Sequence, residues 1–331
     1  MTPRVLVTGA GGFIGHHLVS ALRSQGYWVR GVDIKHPEFE PPAANEFLRL
    51  DLRSFAACVE SVSDIDEVYH LAADMGGIGY ITSNHAEIAR NNALIDINML
   101  QAASDGQVTR LLYTSSACVY PAYLQCQTDV LPLREEDAYP ADPDQAYGWE
   151  KLFAEQLCQH FRADFGLDTR IARLHNVYGP LGTYEGGREK APAAICRKVA
   201  LSADGGEIEI WGDGRQTRSF MYVDDCVEGL RRIMRSDYAQ PINLGTERSV
   251  SINELVDIVA SIAGKHLYIR HNLTGPQGVR GRNSDNRRLR ETVGWEPATP
   301  LETGLTHTYN WILNQVEIGQ CADVVHPATT G

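Results

Sequence analysis

No segment of this 331-residue chain approaches the ~18 consecutive apolar residues that a membrane-spanning helix needs. The apolar stretch in the N-terminal MTPRVLVTGAGGFIG is also too short for a secretion signal, so the expected location is the cytoplasm. Basic residues are in deficit, 30 against 42 acidic ones, and the net charge of −12 argues against a nucleic-acid partner, whose footprint is basic. Phosphorylated small molecules remain possible ligands, because a few arginines and helix N-termini suffice to hold them. The seven cysteines (58, 118, 126, 158, 196, 226 and 321) form no C-x-x-C pair and no zinc spacing, which indicates dispersed reduced thiols. His70, His85 and His175 have no accompanying carboxylate–histidine cluster, so no metal site is expected. Internal repeats and low-complexity blocks are absent. What is present is a hydrophobic fraction of 43%, enough for a full core.

The first half alternates short apolar runs with longer amphipathic ones. Strands are expected at 4–8, 28–33, 47–50, 67–71, 110–115 and 169–174, and helices at 13–25, 54–62, 84–104 and 145–165. This alternation implies βαβ units and an α/β fold with a Rossmann-type doubly wound parallel sheet over 1–175. After residue 175, glycine- and proline-rich stretches interrupt shorter helices. They suggest a smaller α/β lobe formed by 176–218 and 248–315, with a segment near 219–247 returning to the first domain. Residues 316–331 show no periodicity and are expected to be a flexible tail.

Ligands of such sheets lie at the strands' C-terminal ends. There the first strand runs into Gly9-Ala10-Gly11-Gly12-Phe13-Ile14-Gly15 and then a helix. Gly9 suits the tight turn, Gly12 lets backbone approach a pyrophosphate, and Gly15 lets helix pack on strand. The helix N-terminus then offers free N–H groups to phosphates. Asp33 closes the second strand eighteen residues after Gly15, where a carboxylate holds ribose hydroxyls and repels a 2′-phosphate, favouring NAD over NADP. Asp51 and Leu52 suit the adenine, and Ala72 lies at the end of the fourth strand. No Lys-Ser/Thr follows the glycines, which excludes a P-loop.

Tyr147 and Lys151 are four apart on one helix and project from one face. Ser115-Ser116 ends the fifth strand at the same edge. Tyrosine, serine and lysine are what alcohol oxidation by NAD requires: Tyr147 takes the hydroxyl proton, Ser116 binds the same oxygen, and Lys151 supplies charge. A tyrosine of pKa ~10 is only about 0.1% ionised at neutral pH, and lowering it by ~3 units takes ~4 kcal/mol. A nearby ammonium and a cationic nicotinamide can supply that in a partly dry site.

TGAGGFIG, LAAD, SSACVYP and YGWEK resemble the extended short-chain dehydrogenase/reductase family, whose members mostly modify nucleotide sugars; the similarity is collinear from about residue 4 to 315. Within it, ADMGGIGYITSNH, RLHNVYGP, GGREKAPAA, WGDGRQTRSF and GVRGRNSDN resemble the GDP-mannose 3,5-epimerase family. That resemblance implies tightly held NAD and conversion of GDP-mannose to GDP-L-galactose and GDP-L-gulose. It also implies a homodimer through the long helices at 84–104 and 145–165. The chemistry is coherent. Oxidising C4 to a ketone makes the protons at C3 and C5 acidic; inversion then needs a base on one face and an acid on the other before C4 is reduced again.

By resemblance Cys118 and Lys190 are that acid–base pair. A thiol of pKa ~8.5 can both take and return a proton, and desolvation can bring a lysine towards neutrality. The other six cysteines read as structural. Substrate contacts are expected from Ser116, Ala117, Cys118, Asn176, Glu189, Lys190, Ala191, Gln216 and Thr217. Lys198, Arg218 and Arg282 are the expected diphosphate cations, with Arg280 an alternative to Arg282. Two other readings stay open: another nucleotide-sugar 4-epimerase or 4,6-dehydratase, and a catalytically silent NAD-binding regulator.

Overall fold

The computed structural model describes residues 2–143 and 145–325, with backbone only for 319–325. In β1 (Arg4–Thr8), Val5, Leu6 and Val7 are all inaccessible to solvent. Such a continuous apolar run marks a parallel strand covered by helices on both faces. The chain continues through α1 (Phe13–Ser24), β2 (Trp28–Asp33), β3 (Glu46–Arg49), α2 (Phe55–Val62), β4 (Glu67–His70), the short α3 (Ile78–Ile81), α4 (His85–Asp105), β5 (Arg110–Ser116), α5 (Gln145–Phe165) and β6 (Asp168–Leu174). Apart from α3, which the sequence did not indicate, these elements fall within one or two residues of the sequence expectation. The start of β3 moves forward to Glu46 because that residue registers with Arg30 and pairs with its guanidinium at 2.6 Å.

The chain then leaves for the second lobe through β7 (Asn176–Tyr178), α6 (Ala191–Leu201), β8 (Glu207–Trp211) and β9 (Thr217–Tyr222). It returns with α7 (Val223–Arg235) and β10 (Ile242–Leu244), which pairs in parallel with β6. The seven-stranded sheet therefore runs β10-β6-β5-β4-β1-β2-β3. α7 buries Val223, Val227, Leu230 and Met234 along one face, with Asp224 and Asp225 in its first turn and Arg232 and Arg235 in its last, the charge order its dipole favours.

The rest is β11 (Ser249–Ser251), α8 (Ile252–Ala263), β12 (Tyr268–Asn272), β13 (Gly281–Arg282), α9 (Arg287–Val293) and α10 (Leu301–Val325). β9 joins β7, β11 and β13 in a small sheet, while β8 pairs with β12. Thus 219–222 belongs to the second lobe, and only α7 and β10 of the 219–247 segment reach the large sheet. Within the segment 316–331, α10 continues to Val325. Val316 still packs on the core, and helix propagation carries the chain on past the exposed Ile318, which hides the period from the sequence. Residues 326–331 lie outside the described residues.

A buried ion pair anchors the loop after β5 to the sheet. Arg173 of β6 makes two hydrogen bonds to Glu155 of α5, at 2.8 and 2.7 Å, and donates to the Glu135 carbonyl at 2.7 Å. Removing one partner strands the other charge away from water. Arg173→Ala is expected to lower stability by about 3–5 kcal/mol in urea unfolding. A loss below about 1 kcal/mol would show that the pair does not hold the loop.

Candidate active site

One cleft of about 1150 Å³ runs along the carboxyl ends of the large sheet and under the second lobe. Gly9, Gly12, Phe13, Ile14, Gly15, Asp33, Asp51, Leu52 and Ala72 border one end of this cleft, and Ser116, Ala117, Cys118, Tyr147 and Lys151 its middle. The second lobe adds Asn176, Glu189, Lys190, Ala191, Lys198, Gln216, Arg218 and Arg282. Of the residues selected from the sequence, Thr217 and Arg280, the alternative to Arg282, do not border it. Alternation along β9 turns the Thr217 side chain away, where its hydroxyl donates to the Thr128 carbonyl at 2.5 Å.

The glycine loop fits a dinucleotide. Gly9 has φ of +72°, and a Cβ on Gly15 would sit 2.1 Å from the Gly9 carbonyl oxygen, so only glycine lets α1 start this close to β1. No side chain caps α1, which leaves its first N–H groups directed to a ligand. Asp33 accepts from the Gly11 and Lys35 backbone N–H groups at 3.0 and 3.1 Å. About two of a carboxylate's four acceptor positions then remain for ribose hydroxyls. Burial pushes Asp33 up, opposed by those two amides. Asp51 is engaged by Arg53 in a surface pair at 2.6 Å.

At the centre, Tyr147 is 6% exposed and borders the cleft beside Ser116, whose Oγ accepts from the Cys118 amide at 3.2 Å. Ser115 takes no part; alternation sends it to Glu155. Burial raises Tyr147 above its ordinary range and Lys151 pulls it back, with the Lys151 ammonium 5.8 Å from the ring centre. Gly148 makes this packing possible, since a Cβ there would lie 2.1 Å from the Cys118 carbonyl oxygen. The YGWEK motif contains this glycine, but its reason is legible only in three dimensions.

Cys118 and Lys190 border the same space from different lobes. Lys190 is the N-cap of α6 and keeps partial exposure, yet burial of its surroundings lowers its pKa, with Cys118 opposing the shift. Arg282 is 8% exposed and donates from Nη1 to the Cys118 sulfur at 3.4 Å, while its Nε is held by Gln125. The geometry thus puts Arg282 beside the thiol. Arg280 is instead paired with Asp213, both contacts being 3.0 Å, and does not border the cleft. Lys198 donates to the Glu209 carbonyl at 2.6 Å and Asn176 to the Ser219 carbonyl at 3.1 Å. Gln216 has a buried Oε1 without a partner.

The sequence reading gave no role to the segment around α3. There the Gly77 amide donates to the Arg188 carbonyl at 3.1 Å, and the Arg188 guanidinium lies 3.8 Å over the Tyr80 ring. Tyr80 in turn donates to Asp74 at 2.8 Å, so the two loops cover one wall of the cleft together.

The profile of the NAD dependent epimerase/dehydratase family matches residues 5–245. The chain belongs to this family. Its cofactor is NAD, which the glycine cradle, the uncapped helix and Asp33 fit. Among curated relatives, GDP-mannose 3,5-epimerase 1 of Oryza sativa subsp. indica is 49% identical over 95% of this chain and 82% of its own length. GDP-mannose 3,5-epimerase of Arabidopsis thaliana is 48% identical over 95% and 83%. Among solved structures, UDP-glucose 4-epimerase of Thermotoga maritima with UDP-glucose superposes with a TM-score of 0.84 at 26% identity, covering 95% of this chain and 99% of that one. UDP-glucuronic acid 4-epimerase of Bacillus cereus, in complex with UDP-glucuronic acid and NAD, gives 0.80 at 26% identity, with the same coverage.

Asp33→Asn is expected to weaken NAD binding about tenfold or more, since a hydrogen bond to a charged group contributes roughly 1.5–3 kcal/mol. It should also narrow the preference over NADP. Titration of both cofactors measures this, and equal affinities in the unaltered protein would remove Asp33 from cofactor choice.

Proposed function

We propose that this protein epimerises GDP-mannose at C3 and C5, giving GDP-L-galactose and GDP-L-gulose, through transient oxidation at C4. The observation that carries the reading is the meeting of two catalytic sets in one cleft. Ser116, Tyr147 and Lys151 serve hydride transfer, and Cys118 and Lys190 face the same space from opposite lobes. A simple 4-epimerase has no use for the second set.

Tyr147 takes the C4 hydroxyl proton while Ser116 hydrogen-bonds that oxygen. Burial opposes ionisation of Tyr147, so the Lys151 charge is needed close by. Bound NAD supplies the hydride acceptor and the positive charge of its ring. Beside the C4 ketone, Cys118 as thiolate removes the proton from C3 or C5, and the Arg282 guanidinium stabilises the anionic sulfur. Lys190, lowered by burial, protonates the enolate from the other face. Tyr147 finally returns its proton to the C4 oxygen as the ring is reduced. The uncapped N-terminus of α6, with Lys198 and Arg218 nearby, suits the diphosphate, and Gln216 Oε1 offers an acceptor to the nucleotide.

We also propose a cytoplasmic homodimer. The free thiols Cys58, Cys118, Cys126, Cys158, Cys196 and Cys226 favour a reducing compartment, and no helix among the described residues is long and apolar enough to cross a membrane. Leu94 and Ile97 of α4 and Trp149 and Phe153 of α5 are each 40–50% exposed, an apolar surface on the two helices named for the interface. Leu94→Glu with Phe153→Glu is expected to halve the mass measured by light scattering. A monomeric unaltered protein would sink the dimer.

The test of function is incubation with GDP-mannose in deuterated water, followed by NMR of the sugar. Deuterium at C3 and C5 with galacto and gulo products is expected. Unlabelled, unchanged GDP-mannose would overturn the substrate. Cys118→Ala should bind GDP-mannose but lose isotope incorporation by at least about a hundredfold, the lower range for general acid–base catalysis. Unchanged turnover would remove the cysteine from the mechanism.

A further inference from the structure

Behind Lys151 lies a buried polar cluster that the chemistry above does not use. Thr8, His70 and Tyr113 form one lateral row, in register across β1, β4 and β5. Asp96 of α4 and Glu150 of α5 close over it, and both carboxyls lie 3.8 Å from the Lys151 ammonium. Asp96 is 1% exposed, Glu150 5% and Lys151 2%.

Hydrogen accounting fixes the direction of every bond in the row. Thr8 Oγ1 accepts from the backbone N–H groups of Leu71 and Ala72, at 3.0 and 3.1 Å, so its own proton goes to His70 Nδ1 at 2.8 Å. The imidazole proton is then on Nε2, and it is donated to Asp96 Oδ1 at 3.1 Å. From the other side Lys151 donates to the Tyr113 hydroxyl at 2.9 Å, and Tyr113 donates to Asp96 Oδ2 at 2.9 Å. All donors point towards Asp96, which makes it an ionised acceptor, and His70 is neutral.

Glu150 is arranged differently. Asn92 Oδ1 accepts from the Asp74 amide at 2.6 Å, so its NH2 faces Glu150 Oε2 at 3.2 Å. Glu150 Oε1 is buried without a hydrogen-bond partner. Two acids therefore share one cation in a dry site. With both ionised, an uncompensated negative charge would be buried, which costs several kcal/mol.

We propose that Asp96 and Glu150 hold one negative charge and one proton between them, Asp96 ionised and Glu150 protonated, and that this pair keeps Lys151 an ammonium. The charge balance agrees. Burial pushes Glu150 up to about 9, with Lys151 opposing and Asp96 adding to the shift. Burial would raise Asp96, but Lys151 and His70 hold it well below the carboxylate range. Burial would lower Lys151, and opposite charge, Asp96 foremost, holds it above the ordinary lysine value. The other titratable groups facing the cluster, Tyr113 on β5 and Tyr147 and Cys158 on α5, are all raised by burial and stay neutral at neutral pH in the protein alone. Asp96 and Glu150 are positioning residues: they act on the substrate only through Lys151.

Infrared titration of NAD-loaded protein tests the shared proton without any sugar, so this arm stands or falls apart from the GDP-mannose reading. A protonated-carboxyl band is expected at neutral pH, lost as pH rises through about 9 and missing in Glu150→Gln. In Asp96→Asn its midpoint should fall by at least about one pH unit, a tenfold change in acidity. Absence of a Glu150-dependent band, or a midpoint unmoved by Asp96→Asn, would overturn the proposal.

The kinetic arm rests on the epimerase reading and follows kcat for deuterium incorporation against pH. Lys151 must be protonated, so activity is lost as pH rises through its pKa. In Asp96→Asn, Glu150 can ionise and take over the counter-charge. The double variant Asp96→Asn/Glu150→Gln has neither, and its alkaline limb should move to lower pH by more than the two single shifts summed. A limb unmoved in the double variant would show a purely structural role, and additive shifts would show two independent groups. Should the double variant fail to fold, the infrared titration of the single variants decides.

Discussion

An ammonium withdrawn from water must be compensated by opposite charge and by hydrogen bonds, and the interior of this protein is arranged around that requirement at Lys151. Its compensation draws on three adjacent strands and two helices at once: Tyr113 from β5, His70 from β4, Thr8 from β1, Asp96 from α4 and Glu150 from α5. The row works because parallel register places Thr8, His70 and Tyr113 side by side. Thr8 precedes Gly9, and its hydroxyl also accepts from the backbone at Leu71 and Ala72. Lys151 and the glycine turn at Gly9 are thereby fixed to one hydrogen-bonded framework.

Close backbone contacts set the second constraint. Gly15 brings α1 onto β1, and Gly148 brings the start of α5 onto the Cys118 carbonyl. The latter joins two functions, because the helix that presents Tyr147 and Lys151 presses on the loop that presents Cys118. Lys190 comes from the other lobe, at the start of α6, and Arg282 from β13 reaches the Cys118 sulfur. In the proposed reaction, a base and an acid from different lobes can approach a sugar ring from two sides, which two residues on one loop could not do.

Much of this was legible in the sequence, for identifiable reasons. Strands buried on both faces leave unbroken apolar runs, and the glycine loop, Asp33 and the Tyr147–Lys151 spacing are local patterns with local causes. Thr217 was misplaced because adjacent residues in a matching motif look equivalent until strand alternation separates them. α10 ran on past Val316 because a helix, once formed, does not need an amphipathic signal at every turn. Arg280 and Arg282 could not be told apart from spacing; packing separates them, since Asp213 pairs with the Arg280 guanidinium while Arg282 lies against Gln125 and Cys118.

The sequence by itself determined the sheet, the dinucleotide loop and the chemical types available for catalysis, since backbone periodicity, glycine's freedom and side-chain acidity are properties of short segments. Tertiary structure alone decided the state of those groups. Nothing in the spacing of Thr8, His70, Asp96, Tyr113 and Glu150 indicates that they converge on one lysine. Proton ownership there depends on how many donors and acceptors meet in a space without water, a quantity that exists only once distant segments have packed together.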